Sequence, residues 1–227
     1  MINSILIILG SYIWGGIPSG YLVARWVKGI DIRQYGSGNV GASNVSTHVG
    51  TWIALSLGTF DTLIKGTLPI IIAIQTDQPE WTQVAVGLAS IAGHNWSPYL
   101  RFTGGRGVST SIGIMLGLFM WKELLAGVFM IGILGGIITK ETALWTLIAS
   151  IIIPAIAYMF GQPVEVIYTS IGITILLVLK RLGSNWEHPL KQDRSLTRIL
   201  WYRLLWDRDV SNKATWTTRN PYSESEK

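Results

Sequence analysis

The chain has no cysteine among its 227 residues. That excludes a disulfide framework, a thiol nucleophile and a thiolate-bound metal. Histidine is nearly as scarce. His48, His94 and His188 are scattered, so no histidine-built metal site and no metal at all is expected. Charge is the next deficit: only 14% of residues are charged, against about 25% in a soluble domain. The hydrophobic share of 49% completes the picture of a membrane protein. The net charge of +5 is modest. In a membrane protein it reads as a cytoplasmic bias of Lys and Arg, and no nucleic-acid partner is expected. The N-terminus lacks a basic region and a small-residue cleavage site, so the first apolar run is expected to stay. No repeat and no low-complexity segment is visible.

What is present is apolar sequence in long runs. Seven stretches stand out, at 2–27, 51–75, 81–100, 107–121, 123–139, 142–160 and 163–180. Several approach the roughly 20 residues a helix needs to cross a bilayer. The fourth and fifth are short and are expected to be tilted or partly re-entrant. The predicted fold is all-α: a polytopic bundle of about seven transmembrane helices with a C-terminal amphipathic helix at the interface. Gly16-Ile17-Pro18, Pro69 and Pro154 are expected to kink the first, second and sixth helices. Lys28, Arg33, Arg101, Arg106, Lys140, Lys180 and Arg181 fall at alternate span ends. Asp77, Glu80, the Lys122-Glu123 pair and Glu165 mark the other connections. Seven spans then place the N-terminus outside and the charged loops and C-terminus in the cytoplasm.

Two units follow: a membrane domain over 1–182 and a cytoplasmic tail over 183–227. In the tail Leu196, Ile199, Leu200, Leu204 and Leu205 recur at helical spacing, with Arg194, Arg198, Arg203 and Arg208 between them. This is the pattern of an amphipathic helix lying on lipid. A helix packed on a protein partner has the same pattern. The stretch 220–227 is expected to be loose.

Two segments are dense in glycine. The first runs Gly36-Ser37-Gly38-Asn39-Val40-Gly41-Ala42-Ser43-Asn44. The second is Gly93-His94-Asn95-Trp96, followed by Gly104-Gly105-Arg106-Gly107-Val108-Ser109-Thr110. Glycine bares backbone N–H groups and Ser, Thr and Asn add short donors, a combination suited to phosphate. Glycines also serve close helix packing. The first run sits in a loop rather than at four-residue spacing along a span, which favours phosphate. Asp61 and Lys65 lie one helical turn apart inside a span and can pair.

Gly16-Ile17-Pro18-Ser19-Gly20-Tyr21-Leu22, Gly29-Ile30-Asp31-Ile32-Arg33 and the 36–44 loop, in that order, resemble the PlsY family of bacterial acyl-phosphate-dependent glycerol-3-phosphate acyltransferases. Phe102-Thr103-Gly104-Gly105-Arg106-Gly107 with Gly93-His94 is similar to its second motif, and Arg181-Leu182 with Glu187 partly to its third. Asp61 and Lys65-Gly66, followed by Pro69, also fit a family pattern. The resemblance covers about 5–187.

It implies a multi-pass enzyme of the bacterial inner membrane with a cytoplasmic-side site and no cofactor. Such an enzyme moves a fatty acyl group from acyl-phosphate to the 1-hydroxyl of glycerol-3-phosphate, giving lysophosphatidic acid for phospholipid synthesis. Its partners are the two substrates and membrane lipid, with a protein partner for the tail as a further possibility. Ser37, Asn44 and Arg106 are then expected to be catalytic. Gly36, Gly38, Asn39, Gly41, Ser43, His94, Gly104, Gly105, Gly107, Asn185 and Glu187 are expected at the substrate, His94 from behind the site.

The chain departs from the family pattern in places. Ser43 stands for Thr, Arg106 for Lys, Ala143 for Ser, and Thr47 for an arginine that contacts the glycerol phosphate. For the third motif two alignments stand: Ile175 and Val178 occupy the His and Asn positions, or Asn185 keeps the Asn and the His is lost. The acyl-phosphate end of the site is thus better kept than the acceptor end. A catalytically impaired, PlsY-like structural or lipid-binding subunit is the alternative, and a solute channel a weaker one.

Overall fold

The computed structural model describes residues 2–186 and 195–219. Glu187, Arg194 and the 220–227 stretch lie outside the described residues. All regular structure among the described residues is helical. The first apolar run is α1 (Ile2–Gly15) and α2 (Ser19–Lys28), broken at the predicted Gly-Ile-Pro step. Proline cannot supply the N–H that a continuous helix needs there. α2 ends on Gly29, whose left-handed φ of 68° lets its N–H reach the Arg25 carbonyl. Asp31 then caps a single 3-10 turn and leads into the first glycine-rich loop.

After α3 (Ala42–His48), α4 (Thr51–Phe60) and α5 (Leu68–Gln75) are joined without a break by a π-helical stretch, Asp61–Thr67. Next come α6 (Glu80–Asn95), α7 (Val108–Gly117) and α8 (Trp121–Val128). α8 continues into a second π-helical stretch, Phe129–Ile138. α9 (Thr142–Met159) runs through Pro154, and α10 (Val164–Gly183) follows. The tail holds α11 (Leu196–Trp206) and the short α12 (Lys213–Thr217).

Five elements have spanning length and composition: Ile2–Lys28, Thr51–Gln75, Trp121–Ile138, Thr142–Met159 and Val164–Gly183. The third and fourth expected spans are shorter than their apolar sequence. α6 stops at Asn95, and α7 has only 10 residues, about 15 Å of helix. The fifth, expected to be short, is of full length. Lys122 and Glu123, expected in a connection, form the first turn of α8, and Glu123 is fully buried.

Helices meet through small residues. A Cβ on Gly113 of α7 would lie 2.0 Å from the Thr62 carbonyl oxygen, and one on Gly66 would lie 2.4 Å from that of Thr110. Only glycine lets the first π-helical stretch and α7 touch backbone to backbone. Around this contact sits an apolar core of Ile70, Val86, Ile91, Ile114, Ala149 and Ile173. Large apolar side chains on the outside, such as Leu6, Leu9, Leu125, Ile137 and Ile151, are exposed as a lipid-facing surface requires.

The two ends of the bundle differ. At one end Ser4 Oγ donates to Gln78 at 2.9 Å, and Lys122 sits 4.4 Å over the Phe160 ring. At the other end both glycine-rich segments, the start of α9 and the tail gather around one chamber.

Candidate active site

The chamber encloses about 340 Å³. The first glycine-rich loop gives it Ser37, Asn39, Gly41, Ser43 and Asn44. Gly36 (φ 54°) and Gly38 (φ 69°) do not line it; their positive φ values make the turn that presents their neighbours. Ser37 Oγ accepts the Asn39 N–H at 3.4 Å, which leaves its hydroxyl hydrogen for the chamber. Asn39 Oδ1 accepts from Gly41 N at 3.1 Å. Asn44, expected to be catalytic, has its amide hydrogens engaged by the loop itself. Nδ2 donates to the carbonyls of Ile32, Tyr35 and Asn39 at 3.2, 2.9 and 2.9 Å. Those bonds make it the strut of the loop, because each buried carbonyl needs a donor.

The second segment is arranged otherwise. A Cβ on Gly105 would lie 2.0 Å from His94 Nε2, and one on Gly104 would lie 2.3 Å from the His94 carbonyl oxygen. Their N–H groups are also taken: Gly104 N donates to Asn185 Oδ1 at 3.0 Å and Gly105 N to the His94 carbonyl at 2.9 Å. Neither lines the chamber, so both are packing glycines rather than phosphate donors. Asn185 likewise stays out of the chamber. It clamps Gly104 from both sides, returning Nδ2 to the Gly104 carbonyl at 3.3 Å. Gly107 does line the chamber and turns the chain into α7, whose N-terminus has no side-chain cap. Arg106 reaches the chamber too. Its Nε donates to Asp207 Oδ2 at 2.9 Å and its Nη1 to the Lys180 carbonyl at 3.0 Å.

Behind these segments lies a buried charge cluster. Lys65 Nζ is 2.8 Å from Asp61 Oδ1 and donates to Ser19 Oγ at 2.7 Å. Ser19 in turn donates to Asp61 Oδ1 at 2.8 Å. The predicted pair is therefore real, and Ser19 of α2 closes it into a triangle. His94 Nδ1 faces the other Asp61 oxygen at 3.9 Å, beyond hydrogen-bonding reach. Both Asp61 and His94 border the chamber. Outside the spans, Arg33 grips Asp31 through Nη2–Oδ2 at 2.7 Å and lies 5.0 Å over the Tyr21 ring. Its hydrogen bonds hold the Asp31 carboxyl below the usual carboxylate range.

A second, apolar cleft continues from the chamber between α7, α8, α9 and α10. Val108, Ile131, Thr146 and Leu177 border both spaces. Ile153, Ile173 and Met115 lie further along the cleft.

Several further residues reach the chamber: Arg181, expected only as part of the third motif, and residues of the tail, which were not expected there. Arg181 donates to the carbonyls of Leu204 (3.0 Å) and Ala143 (2.7 Å) and lines the wall. Asp207, Arg208, Lys213, Trp216 and Thr217 of the tail line it as well. The sequence leaves the tail helix either lying on lipid or packed on a protein partner, and neither reading brings the tail to the chamber. Its helix α11 does leave Leu196, Leu200 and Trp201 exposed, but Arg203 is buried and Arg208 falls beyond the helix end. The one signal available was Asp207-Arg208-Asp209, a charge cluster immediately after an apolar helix.

Comparisons with known proteins place the chain among its relatives. The family model described as glycerol-3-phosphate acyltransferase matches residues 5–192. A glycerol-3-phosphate acyltransferase 5 of Dehalococcoides mccartyi is 35% identical, over 97% of this chain and 96% of its own. A glycerol-3-phosphate acyltransferase of Halalkalibacterium halodurans is 33% identical, over 85% of this chain and 98% of its own. Among solved structures, the glycerol 3-phosphate form of PlsY (YgiH), an integral membrane glycerol 3-phosphate acyltransferase, superposes with a TM-score of 0.72. That match has 28% identity and covers 82% of this chain and 94% of the other. The chain is a multi-pass membrane protein, and it belongs to the glycerol-3-phosphate acyltransferase family typified by PlsY.

Proposed function

We propose that this protein transfers a fatty acyl group from acyl-phosphate to the 1-hydroxyl of glycerol-3-phosphate, releasing lysophosphatidic acid and phosphate. The observation that carries this reading is the junction of the two cavities. A polar chamber with hydroxyls, cations and an uncapped helix N-terminus opens into an apolar cleft inside the bundle. The acyl chain is assigned to the side of this apolar cleft and its phosphate to the chamber, which puts the reacting carbonyl near the Val108–Thr146 border.

Acyl-phosphate is a mixed anhydride with a good leaving group, so no enzyme nucleophile is required. The acceptor oxygen bonds to the acyl carbon, the carbon–oxygen bond to phosphate breaks, and the hydroxyl proton leaves with the phosphate. The protein's part is to hold two anions together and stabilise the charge that develops on the carbonyl oxygen. Ser37, Arg106 and the start of α7 suit that part. Ser37, Asn39, Gly41, Ser43 and Gly107 form the wall at the phosphates, while Asn44, Gly104, Gly105 and Asn185 shape it from behind. The alternation of Lys and Arg between span ends supports a cytoplasmic chamber and an outside N-terminus, and the bacterial relatives support a place in the bacterial inner membrane.

The test is purified protein in vesicles with palmitoyl-phosphate and radiolabelled glycerol-3-phosphate. Labelled lysophosphatidic acid is the expected product, and none at any substrate concentration sinks the reading. Single cysteines at the exposed Glu80 and Ser211 positions, probed with an impermeant thiol reagent in whole cells, test the orientation. Only the first should be labelled.

A further inference from the structure

The chain beyond α11 lies outside the family match, which ends at residue 192. It is nonetheless fastened to the core. Gly36 N, in the first glycine-rich loop, donates to the Arg219 carbonyl at 2.7 Å. His48 Nε2 of α3 lies 3.0 Å from the Thr217 carbonyl oxygen. Lys213 Nζ donates to the Lys140 carbonyl. The segment 207–217 is thereby held across the chamber.

Two arginines of this region, five residues apart, are handled differently. Arg203 is fully engaged: Nε and Nη2 grip Asp209 at 2.6 and 2.9 Å, and Nη1 donates to the Leu182 carbonyl at 3.1 Å. This is how a guanidinium is held for structure. Arg208 is only 9% exposed, yet its Nε has no hydrogen-bond partner among the described residues. The nearest carboxylate among the described residues, Glu141, lies 3.7 Å from Nη1 and is shared with Lys213 at 3.9 Å. A buried guanidinium left with an unmatched donor is costly unless an anion completes it.

The charge around the chamber agrees. Arg106, Arg181, Arg208 and Lys213 line it against Asp207 and Glu141, since Asp61 is already matched by Lys65. Thr47, on the first segment's part of the wall, brings no charge. A planar guanidinium fork fits a tetrahedral phosphate better than any neutral group in the chamber.

We propose that Arg208 binds a phosphate group of the substrates, which makes the segment 207–217 a working part of the transfer site rather than an appendage. The identity of the phosphate carriers, glycerol-3-phosphate or acyl-phosphate, rests on the acyltransferase reading above; the binding of phosphate does not.

The experiment compares the full chain in vesicles as wild type, Arg208→Ala, Arg208→Lys and Arg198→Ala, the last an exposed arginine of α11 as control. KM is measured separately for glycerol-3-phosphate and palmitoyl-phosphate. Calorimetric titration with glycerol-3-phosphate and with inorganic phosphate reads binding without turnover. Arg208→Ala is expected to raise one KM by roughly 30-fold or more, the usual consequence of losing one member of a buried charge pair. If the acceptor's phosphate is the ligand, the glycerol-3-phosphate Kd rises with its KM. If the donor's phosphate is the ligand, the palmitoyl-phosphate KM rises and inorganic phosphate binds more weakly. Arg208→Lys recovers part of the loss, because the charge stays and the fork goes.

Unchanged KM and Kd values in a folded Arg208→Ala protein overturn the proposal. Should that variant not fold, Arg208→Gln is judged by the same criteria. Arg208-dependent binding in a protein that transfers no acyl group overturns the acyltransferase reading and leaves this assignment standing. Normal transfer indifferent to Arg208 does the reverse, and a wild-type protein that binds neither phosphate overturns both.

Discussion

In the first glycine-rich segment the backbone turns on Gly36 and Gly38 so that Ser37, Asn39 and Ser43 face the chamber. In the second, Gly104 and Gly105 press against His94, and their N–H groups are bound within the protein. The two stretches look alike as sequence, rich in glycine and hydroxyls beside an apolar run. One lines the chamber, where the proposed function makes it a cradle, and the other is mainly a joint, with only its end, Arg106 and Gly107, reaching the chamber. Glycine density therefore marks where backbone comes close to something; whether that something is a ligand or a helix depends on the neighbour. The neighbour here is α6, which carries His94 and Asn95 directly beneath the second segment.

The most damaging change falls on the residue that touches both regions. Asp61 borders the chamber, faces His94 and neutralises the buried Lys65. Asp61→Ala leaves that ammonium without a counter-charge, at a cost of about 3–5 kcal/mol. Thermal unfolding of the purified protein should show the loss, and adding Lys65→Met should restore much of it. An Asp61→Ala protein as stable as its parent but inactive would move Asp61 from the joint to the cradle.

Ser37→Ala comes next and acts on rate. Removing one donor of an oxyanion-type site typically lowers turnover by about 10²–10³. The melting temperature should barely move, because among the described residues Ser37's side chain makes only one long hydrogen bond, within the loop. Normal kcat/KM in this variant would erase the distinction between the two segments.

Gly105→Ala should do the opposite. Its methyl group meets the His94 ring at 2.0 Å, and overpacking of this kind costs about 1–3 kcal/mol. The expected readout is a lower melting temperature, recovered when His94→Ala makes room. Full stability with lost substrate binding would show that the second segment also cradles.

The smallest effect concerns Asp31, before the first segment. Its lowered carboxyl pKa means that its pairing with Arg33 stabilises the fold above about pH 4. The contribution disappears as pH falls through the depressed folded-state value. Both partners are partly exposed, so Asp31→Asn should cost less than about 1 kcal/mol at neutral pH. The difference between variant and parent should vanish in acid.

The apolar runs predicted most spans, because a helix is the open-ended way to satisfy backbone polar groups in lipid. Gly16-Ile17-Pro18 predicted a kink, and the structure goes further and breaks the helix, because proline cannot donate the N–H a continuous helix needs. The apolar runs overestimated α6, because the loop after Asn95 is apolar in composition yet held by its own bonds, such as Ser97 N to the Thr103 carbonyl at 3.0 Å. They overestimated α7 at its other end, where the chain leaves the helix after Gly117 and turns through Phe119 at a φ of 56°. The Asp61–Lys65 pair was legible because four-residue spacing aligns side chains even in the π-helical stretch that contains it. Ser19 as its third member was not, since 42 residues separate it from Asp61.

The sequence by itself determined a helical membrane protein, its family, the glycine-rich loop beside a chamber, and which span ends carry positive charge. The helical membrane character and the charged span ends follow from composition and local spacing, and the family from the resemblance of its motifs, none of which needs knowledge of distant neighbours. Only the tertiary structure decided that Asn44 braces the loop, that Gly104 and Gly105 serve packing, and that the tail closes the chamber with Arg208. Each depends on what lies across the fold, His94 against Gly105, Asn185 against Gly104, Thr217 against His48. No periodicity along the chain records such distant pairings.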